Sequence, residues 1–338
     1  MLGIDVSKDN LVCALVQAGT HKTVWRDSYP NTASGISQLL RRLNGTTSLV
    51  VEPTGRYSDL VVRQATAKGR TVLLAPPRRA KAFLESIQSR AKTDPLDGRG
   101  LGLFALSQQL RLFQVKSPAV EQVEQLLSAR KGLSRSLATL EMQRRELPHA
   151  VSALEPVISA IKSQKAALDK QIATLTQGSR TVPALPEFAI ARSLDAVPGI
   201  GPVVAAAVAA RLDSKRFEHP DSFVAYIGLD ITVRQSGKRS GQRGLTKQGD
   251  AELRRLLYLA AQANLRCKDT NNPFKLQYER EIAKGMKTTA ALCAVARKLA
   301  KLCWSLHRHG TTYDASRVLE QPTRAKKPQA EEASTTTA

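Results

Sequence analysis

The sequence predicts an α/β amino-terminal domain followed by a mainly helical region. Short apolar strands alternate with helices over roughly the first ninety residues. A seven-residue apolar repeat then runs from Val123 to Leu175, and apolar positions at helical spacing recur from Leu194 to Leu306. The 338 residues suffice for two domains and a connecting segment. From Gln321 onward the chain has few apolar residues, which predicts a disordered tail.

The order of elements in the first domain follows from the spacing of apolar residues. Alternation and short apolar runs predict strands at 2–6, 11–16, 23–28, 48–51 and 71–74, and helical spacing predicts helices at 35–43, 57–67 and 78–87. Three strands, a helix, a strand, a helix, a strand and further helices is the order of a ribonuclease H-like domain. Three antiparallel strands lead into parallel ones in that fold.

Four acidic residues stand at informative places in this order. Asp5 lies within the first strand, Glu52 ends the fourth, and Asp94 and Asp97 open a helix that Pro95 favours. Ligands of open α/β sheets gather at the carboxyl ends of strands, and two carboxylates three residues apart on a helix favour a cation between them. We therefore expect the four acids to converge on a divalent metal ion. The alternative is that Asp94 and Asp97 are a cap and a first-turn acid, and that the other two are polar strand residues.

The charge balance predicts a polyanionic partner. Lys and Arg number 51 against 29 Asp and Glu, which gives a net charge of +22. No apolar run is long enough to span a bilayer, and the chain opens on a strand rather than a secretory leader. We therefore expect the polyanionic partner to be nucleic acid and not a membrane, and we expect a cytoplasmic protein. Only 4% of residues are aromatic, which argues against base stacking as the main binding mode.

The seven-residue repeat predicts long helices packed as a coiled-coil helical arm. One row of the repeat comprises Leu126, Leu133, Leu140, Leu147, Leu154, Ile161, Leu168 and Leu175. Its companion row contains Val123, Leu137, Val151, Ile158 and Ile172, interrupted by Arg130, Arg144 and Lys165. Pro148 and Pro156 should break or kink the helices. The arm is either a dimerisation element or an intramolecular helical hairpin.

A glycine turn precedes an alanine-rich helix in the second half of the chain. The segment Pro198–Gly201 (PGIG) resembles the turn of a helix-hairpin-helix element, in which backbone N–H groups at Gly199 and Gly201 would meet a phosphate. The alternative is an ordinary turn before a buried helix.

A basic, glycine-rich segment follows from Asp230 to Leu257. Such a loop before a helix suits a phosphate backbone, and the candidate nucleic-acid contacts are Lys238, Arg239, Lys247 and Arg254. Arg254 could instead be a solvated helix residue. By residue type alone Ser236 is a turn residue, because a serine is a nucleophile only when its hydroxyl is activated.

Together these segments resemble one family. GIDVSK, VVEPTGRY and AKTDPLD are similar to the RuvC-like domain of the DEDD-type transposases of bacterial insertion sequences, the IS110 family of bridge-RNA-guided recombinases. PGIGPVVAAAVAA, FVAYIGL and RQSGKRSGQRGLTKQGDAELRRLL are similar to the family's transposase domain. The resemblance implies a RuvC-like domain at 1–115, a coiled-coil arm at 116–180, a transposase domain at 181–320 and a disordered tail at 321–338.

The resemblance also implies roles for particular residues. The family's metal-binding catalytic acids fall on Asp5, Glu52, Asp94 and Asp97, with Mg²⁺ as the expected cofactor. Its nucleophilic serine falls on Ser236. Many relatives read Ser-Ser-Gly where this chain reads Gln235-Ser236-Gly237, and Ser240 begins a second Ser-Gly step, so Ser240 is the alternative nucleophile.

The family's activity is RNA-guided cleavage and exchange of DNA strands through a phosphoserine intermediate, in a site shared between protomers. The implied partners are donor and target DNA, a noncoding guide RNA and further copies of the chain, as a dimer or tetramer, in the bacterial cytoplasm at the nucleoid. Two rivals remain: a RuvC-like structure-selective nuclease that uses water, and a nonenzymatic nucleic-acid-binding protein. The residues without the resemblance support only a metal-dependent nucleic-acid enzyme.

Overall fold

The computed structural model describes residues 1–53, 55–87, 94–232, 235–236, 239–240, 244–269 and 271–319. The chain divides into two compact units, Met1–Val115 and Lys116–Ala338. The predicted disordered tail lies outside the described residues. Within them, no helix is both long and apolar enough to cross a membrane.

The first unit is built on a mixed six-stranded sheet. Its elements are β1 (Leu2–Val6), β2 (Asn10–Val16), β3 (Thr23–Pro30), α1 (Ala33–Arg42), β4 (Leu49–Val51), α2 (Arg56–Ala67), β5 (Val72–Leu74), α3 (Pro77–Ile87), α4 (Asp94–Ser107) and β6 (Arg111–Leu112). The strand order is β3-β2-β1-β4-β5-β6. The first three strands pair antiparallel, β4 and β5 continue parallel to β1, and β6 returns antiparallel. The predicted element order is confirmed; the two-residue β6 was not predicted.

Helices cover both faces of this sheet. On one face, Leu2 and Ile4 of β1 are fully buried in a cluster that includes Ile36 and Leu39 of α1. On the other face, Val50 of β4 packs in a second cluster with Leu101 and Phe104 of α4. Because successive strand residues point to opposite faces, β1 turns its apolar residues to α1 and leaves Gly3 and Asp5 facing α4.

The second unit is mostly helical. Its elements are α5 (Pro118–Glu146), α6 (Val151–Gln177), α7 (Ala191–Asp195), α8 (Pro202–Asp213), α9 (Pro220–Ile227), β7 (Ile231–Thr232), β8 (Gln235–Ser236), β9 (Arg239–Ser240), β10 (Gly244–Leu245), α10 (Ala251–Leu265), α11 (Pro273–Ala283), α12 (Thr288–His309) and α13 (Ala315–Leu319). α8 is buried along Ala205–Ala210, where small side chains allow other helices to approach closely. The predicted buried alanine-rich helix is therefore present.

The helices α5 and α6 form an antiparallel hairpin within the chain. A 3-10 turn at Pro148–Ala150 joins them, as the proline predicted. Ion pairs cross between them from Arg144 to Glu155 at 3.0 Å and from Lys162 to Glu141 at 3.0 Å. α6 continues through Pro156, so a helix break there was wrong: proline removes one backbone hydrogen bond near the helix start, and the buried Ile158 holds the next turn in place. Coiled-coil packing with a second copy stays a prediction.

Candidate active site

Two of the four predicted acids lie side by side at one edge of the sheet. In the parallel pair of β1 and β4, Ile4 is opposite Val51. Asp5 is the next residue of β1, one before its end, and Glu52 directly follows the end of β4, so their backbones are neighbours. Each side chain is half-buried. This adjacency is what the strand order predicted for the carboxyl ends of the strands.

Glycines bring α4 directly against the backbone of β1. A Cβ atom on Gly3 would overlap the carbonyl oxygen of Gly98 and lie 2.6 Å from the nitrogen of Gly102. A Cβ on Gly102 would in turn lie 2.8 Å from the side chain of Val16. The segment DGRGLG therefore uses glycine because helix and strand touch backbone to backbone.

The same contacts fix the direction of α4. A Cβ on Gly98 would lie 2.9 Å from the carbonyl oxygen of Val12, which is the register partner of Asp5. The helix therefore begins near the end of β1 that carries Asp5 and runs back along the strand. Asp94 and Asp97 belong to this first helical turn. Their side chains lie outside the described part of the structure, so only their backbone positions are placed beside Asp5.

This edge has the donor chemistry of a divalent cation site. Asp5 and Glu52 supply carboxylate oxygens, the hard ligands that Mg²⁺ prefers. Among the side chains described, which exclude those of 94–97, no three His, Cys, Asp or Glu residues form a metal cluster. The donor set thus fits such an ion only together with the acids of α4.

Ser236 lies in a short antiparallel ladder in the second unit. β8 pairs with β9 so that Ser236 is opposite Arg239 and Gln235 is opposite Ser240. The basic segment predicted as a loop is thus partly a β ribbon, because β7 and β10 also pair, with Thr232 opposite Gly244. The side chains of 235–236 and 239–240, and Lys238 altogether, lie outside the described residues.

The paired strands β7 and β10 are connected to a tightly packed region at the carboxyl end of α9. We call this region the ribbon root; it comprises Tyr226–Leu229 and Lys247–Asp250. Gly228 closes α9 with a φ of +74°. A Cβ there would lie 2.7 Å from an Arg254 guanidinium nitrogen and 2.8 Å from the backbone nitrogen of Gln248. Gly249, with a φ of +148°, would overlap the carbonyl oxygen of Tyr226 if it carried a side chain. Both glycines are therefore required by close approach and by backbone conformation.

Asp250 ties the ribbon root to the helical arm. Its carboxylate caps α10 by accepting hydrogen bonds from the N–H groups of Glu252 and Leu253. It also accepts a bond of 3.0 Å from Arg211 of α8, which donates to Glu124 of α5 at 3.1 Å. Burial alone would raise the pKa of Asp250, but the cap and the Arg211 guanidinium outweigh burial and hold the pKa below its usual value.

The PGIG turn is held by a buried asparagine pair. Gly199 has a φ of +81° and packs against α10. Asn264 of α10 donates to the carbonyl oxygen of Pro198 at 2.9 Å and accepts from Asn272 at 2.8 Å. Gly201 is exposed at the start of α8. Within this turn, one glycine thus serves packing and the other leaves the helix amino terminus open; phosphate binding by either stays a prediction.

Several residues of this region were not found from the sequence. Arg211 lies near the end of the largely buried α8, and Asn264 and Arg297 lie on α10 and α12. No local motif distinguishes these three from other polar helix residues. Lys247 is exposed and has a φ of +52°, a value that is uncommon outside glycine. Arg254 is half-buried and donates a hydrogen bond to the carbonyl oxygen of Ile227, so Arg254 is not simply a solvated helix residue.

Comparison with known proteins gives a consistent family. A family model of DEDD IS110-type transposases matches residues 2–147, and a model described as "Transposase IS116/IS110/IS902 family" matches residues 191–279. Together the two models cover more than two thirds of the chain. It belongs to the IS110 transposase family. The DEDD match implies a ribonuclease H-like fold for the first unit, in agreement with the order of its strands.

Individual relatives are distant in sequence. A probable family 20 transposase of Pseudomonas aeruginosa is 26% identical over 56% of this chain and 56% of its own length. A pilin gene-inverting protein of Moraxella lacunata is 24% identical over 93% of this chain and 97% of that protein. A transposase for insertion sequence element IS1111A from Coxiella burnetii is 23% identical over 93% and 91%. The chain thus spans about half of the Pseudomonas relative and nearly the whole of the other two.

Proposed function

We propose that the protein is the transposase of a bacterial insertion sequence that catalyses RNA-guided, Mg²⁺-dependent DNA strand cleavage and exchange through a covalent phosphoserine intermediate. One observation carries most of this proposal: the neighbouring strand ends that bear Asp5 and Glu52 lie where the first turn of α4, with Asp94 and Asp97, begins. In an IS110-family chain with a net charge of +22, such a set of acids is best explained by chemistry on nucleic-acid phosphates.

In this proposal Asp5, Glu52, Asp94 and Asp97 hold Mg²⁺. When bound, the ion would polarise a DNA phosphate and stabilise the charge that develops on its oxygens. The protein's part is to fix the carboxylates at one sheet edge. The glycine contacts between β1 and α4 support this role, because they set the spacing of the helix from the strand.

Ser236 is the proposed nucleophile. Its hydroxyl oxygen would form a bond to phosphorus while one phosphodiester oxygen leaves, and the serine proton would pass to a base or solvent. The phosphoserine link conserves the energy of the cut bond, so a free strand end can reverse the reaction and rejoin. Ser240, on the partner strand of the same ladder, is the alternative.

The basic and glycine residues around these groups would hold nucleic acid. We propose phosphate contacts for Gly199, Gly201, Lys238, Arg239, Lys247 and Arg254. The large positive charge suits two polyanions, DNA and a noncoding guide RNA whose base pairing would select donor and target. Such a protein would work in the bacterial cytoplasm, at the nucleoid when active.

A shared site would require assembly. We propose that a RuvC-like domain (1–115) and a transposase domain (181–320), linked by the arm (116–180), combine across protomers of a dimer or tetramer. The variant Leu133→Lys with Leu140→Lys tests the arm. A lower mass in light scattering supports dimerisation through the arm, whereas unchanged mass with lower thermal stability supports an intramolecular hairpin alone.

The decisive experiment is a search for a protein–DNA adduct. Purified protein, the noncoding transcript that flanks its element, labelled donor and target DNA and Mg²⁺ would be combined and resolved on a denaturing gel. Loss of the adduct only in Ser236→Ala supports the proposal. Loss only in Ser240→Ala moves the nucleophile to Ser240, and cleavage without any adduct favours a water-using RuvC-like nuclease.

Matched acid variants test the metal role. Asp5→Asn, Glu52→Gln and Asp97→Asn should abolish strand cleavage and leave RNA binding largely intact, while Asp9→Asn, an exposed acid in the turn after β1, should behave as wild type. Loss of RNA binding in all three acid variants would argue against a metal role, and full activity of Asp94→Ala would revive a nonenzymatic binding function.

A further inference from the structure

Three basic residues from three separate elements meet at the ribbon root. Arg254 of α10 donates a hydrogen bond of 2.7 Å to the carbonyl oxygen of Ile227. Arg297 of α12 donates one of 3.0 Å from Nε to the carbonyl oxygen of Leu229. The backbone N–H of Lys247 donates to the carbonyl oxygen between them, that of Gly228, at 3.2 Å. Three successive carbonyls thus bring three cationic residues to one turn.

The three cations at this turn form no ion pair with the carboxylates of the described residues, and the nearby Asp230 carboxylate accepts a hydrogen bond from Thr246. Of the ion pairs within the described residues, none includes Lys247, Arg254 or Arg297. Some other basic side chains of the second unit are paired: Arg211 with Asp250, for example, and Arg255 with Glu252. Gathered like charges repel one another unless an opposite charge is bound. A cluster of three cations without an ion pair among the described residues therefore suits an anion supplied from outside.

The half-buried thiol of Cys293, one turn before Arg297 on α12, reports on the same cluster. Burial raises the pKa of Cys293, and the opposing influences come from Arg297, Lys247 and Arg254. All three cations thus lie close enough to the Cys293 thiol to lower its pKa. Within the described residues, each arginine donates one side-chain hydrogen bond, to a carbonyl oxygen. The guanidinium group has five N–H donors in a planar fork, a geometry that matches phosphate oxygens.

The cluster lies beside the first residue of β7 and the last residue of β10. β7 starts two residues after Leu229, and β10 ends two residues before Lys247. The chain segment between β7 and β10 also carries Ser236. An anion bound here would consequently be close to the base of the element that bears the proposed nucleophile.

We propose that Lys247, Arg254 and Arg297 together bind one backbone phosphate of the DNA strand that the ribbon engages, with Arg297 as a contact that no sequence motif identifies. This inference rests on the proposed function for its choice of DNA. The competing explanation is that both arginines only satisfy carbonyls at the carboxyl end of α9.

The first test is the salt dependence of duplex DNA binding by the full chain. Each neutralised phosphate contributes a slope of about 0.9 in log K against log salt concentration. Three cations share this phosphate, so Arg297→Gln should weaken binding and reduce the slope by part of that value. Arg297→Lys, which keeps the charge, should retain most of the slope. The matched control is Arg308→Gln, an equal charge change on the same helix; an equal loss in this control, or no loss in Arg297→Gln, overturns the proposal.

Alkylation of Cys293 gives a second, local readout. Followed peptide by peptide in mass spectrometry, duplex DNA should slow alkylation of Cys293 several-fold and leave the half-exposed Cys267 unchanged. Protection by RNA alone, or by inorganic phosphate as effectively as by DNA, overturns the assignment to a DNA phosphate. Circular dichroism of each variant verifies folding, and protection of Cys293 by DNA in the unsubstituted chain supplies the test if Arg297→Gln does not fold.

These measurements separate the inference from the proposed function. Binding and protection require no strand cleavage, so absence of a serine adduct together with a reduced slope would refute the phosphoserine chemistry alone. An adduct together with an unchanged slope would refute the phosphate site alone.

Discussion

Replacement of Asn264 by alanine should strongly destabilise the second unit. Asn264 is 1% exposed and makes three hydrogen bonds: it donates to Pro198 and Ala260 carbonyl oxygens at 2.9 and 2.8 Å and accepts from Asn272 at 2.8 Å. Asn272 is also 1% exposed and caps α11 through the N–H groups of Phe274 and Lys275. The pair thus joins the PGIG turn, α10 and α11.

The magnitude follows from what the substitution leaves behind. Each neutral hydrogen bond contributes about 1 kcal/mol net, and each buried polar group left without a partner costs about 1–3 kcal/mol. The Ala260 carbonyl retains its helical partner, so the main losses are at Pro198 and at the Asn272 amide. We expect a destabilisation of about 3 kcal/mol, which for a unit of this size lowers Tm by about 6–12 °C.

Thermal unfolding followed by circular dichroism would measure the change. Gln262→Ala, a half-buried polar residue of the same helix, is the matched control and should shift Tm far less. A double-mutant cycle of Asn264→Ala and Asn272→Ala isolates their shared bond, with an expected coupling of about 1 kcal/mol or more. Additive effects, or an Asn264→Ala variant as stable as the Gln262→Ala control, would refute the reasoning.

Three other residues give sharper, independent outcomes. Asp250→Asn keeps a capping oxygen but loses the ion pair with Arg211. Because the folded-state pKa of Asp250 is lowered, its carboxylate contributes fully to the free energy of unfolding at neutral pH, and this contribution is lost as pH falls below about 4. In urea unfolding, the stabilities of wild type and variant should therefore differ at neutral pH and converge below about pH 4. Gly249→Ala should unfold the ribbon root, seen as a drop in Tm, because its methyl group would overlap the carbonyl of Tyr226. Burial raises the pKa of Cys303 to about 12, so this thiol should resist alkylation at pH 8 until the protein unfolds; rapid modification of the native protein would contradict its burial.

Regular elements could be predicted because their signals are local. Alternation in Leu2–Val6 and the seven-residue repeat of the arm each reflect a periodicity that the folded backbone retains. The adjacency of Asp5 and Glu52 was also predictable, since it requires only that two strands be parallel and in the expected order.

Features that depend on contacts distant in sequence were not predictable. The two-residue strands of the ribbon are too short to show alternation, so their segment was taken for a loop. Arg297 is one polar position among many on α12, and its contact with Leu229 exists only after α9 and α12 have packed. Likewise, α4 needs glycine at Gly98 and Gly102 because these residues pack against Gly3, which lies far away in the chain.

The contact between Gly3 and α4 separates two tasks that most enzymes must satisfy with the same side chains. Hydrophobic packing stabilises the first unit, but the gap between β1 and the acid-bearing turn is set where main chain meets main chain. Core residues such as Leu101 or Phe104 can therefore exchange for others of similar volume without changing the distance between β1 and the first turn of α4. The cost is that Gly3, Gly98 and Gly102 cannot vary, because even a methyl group at any of them would push α4 away from the strands it contacts.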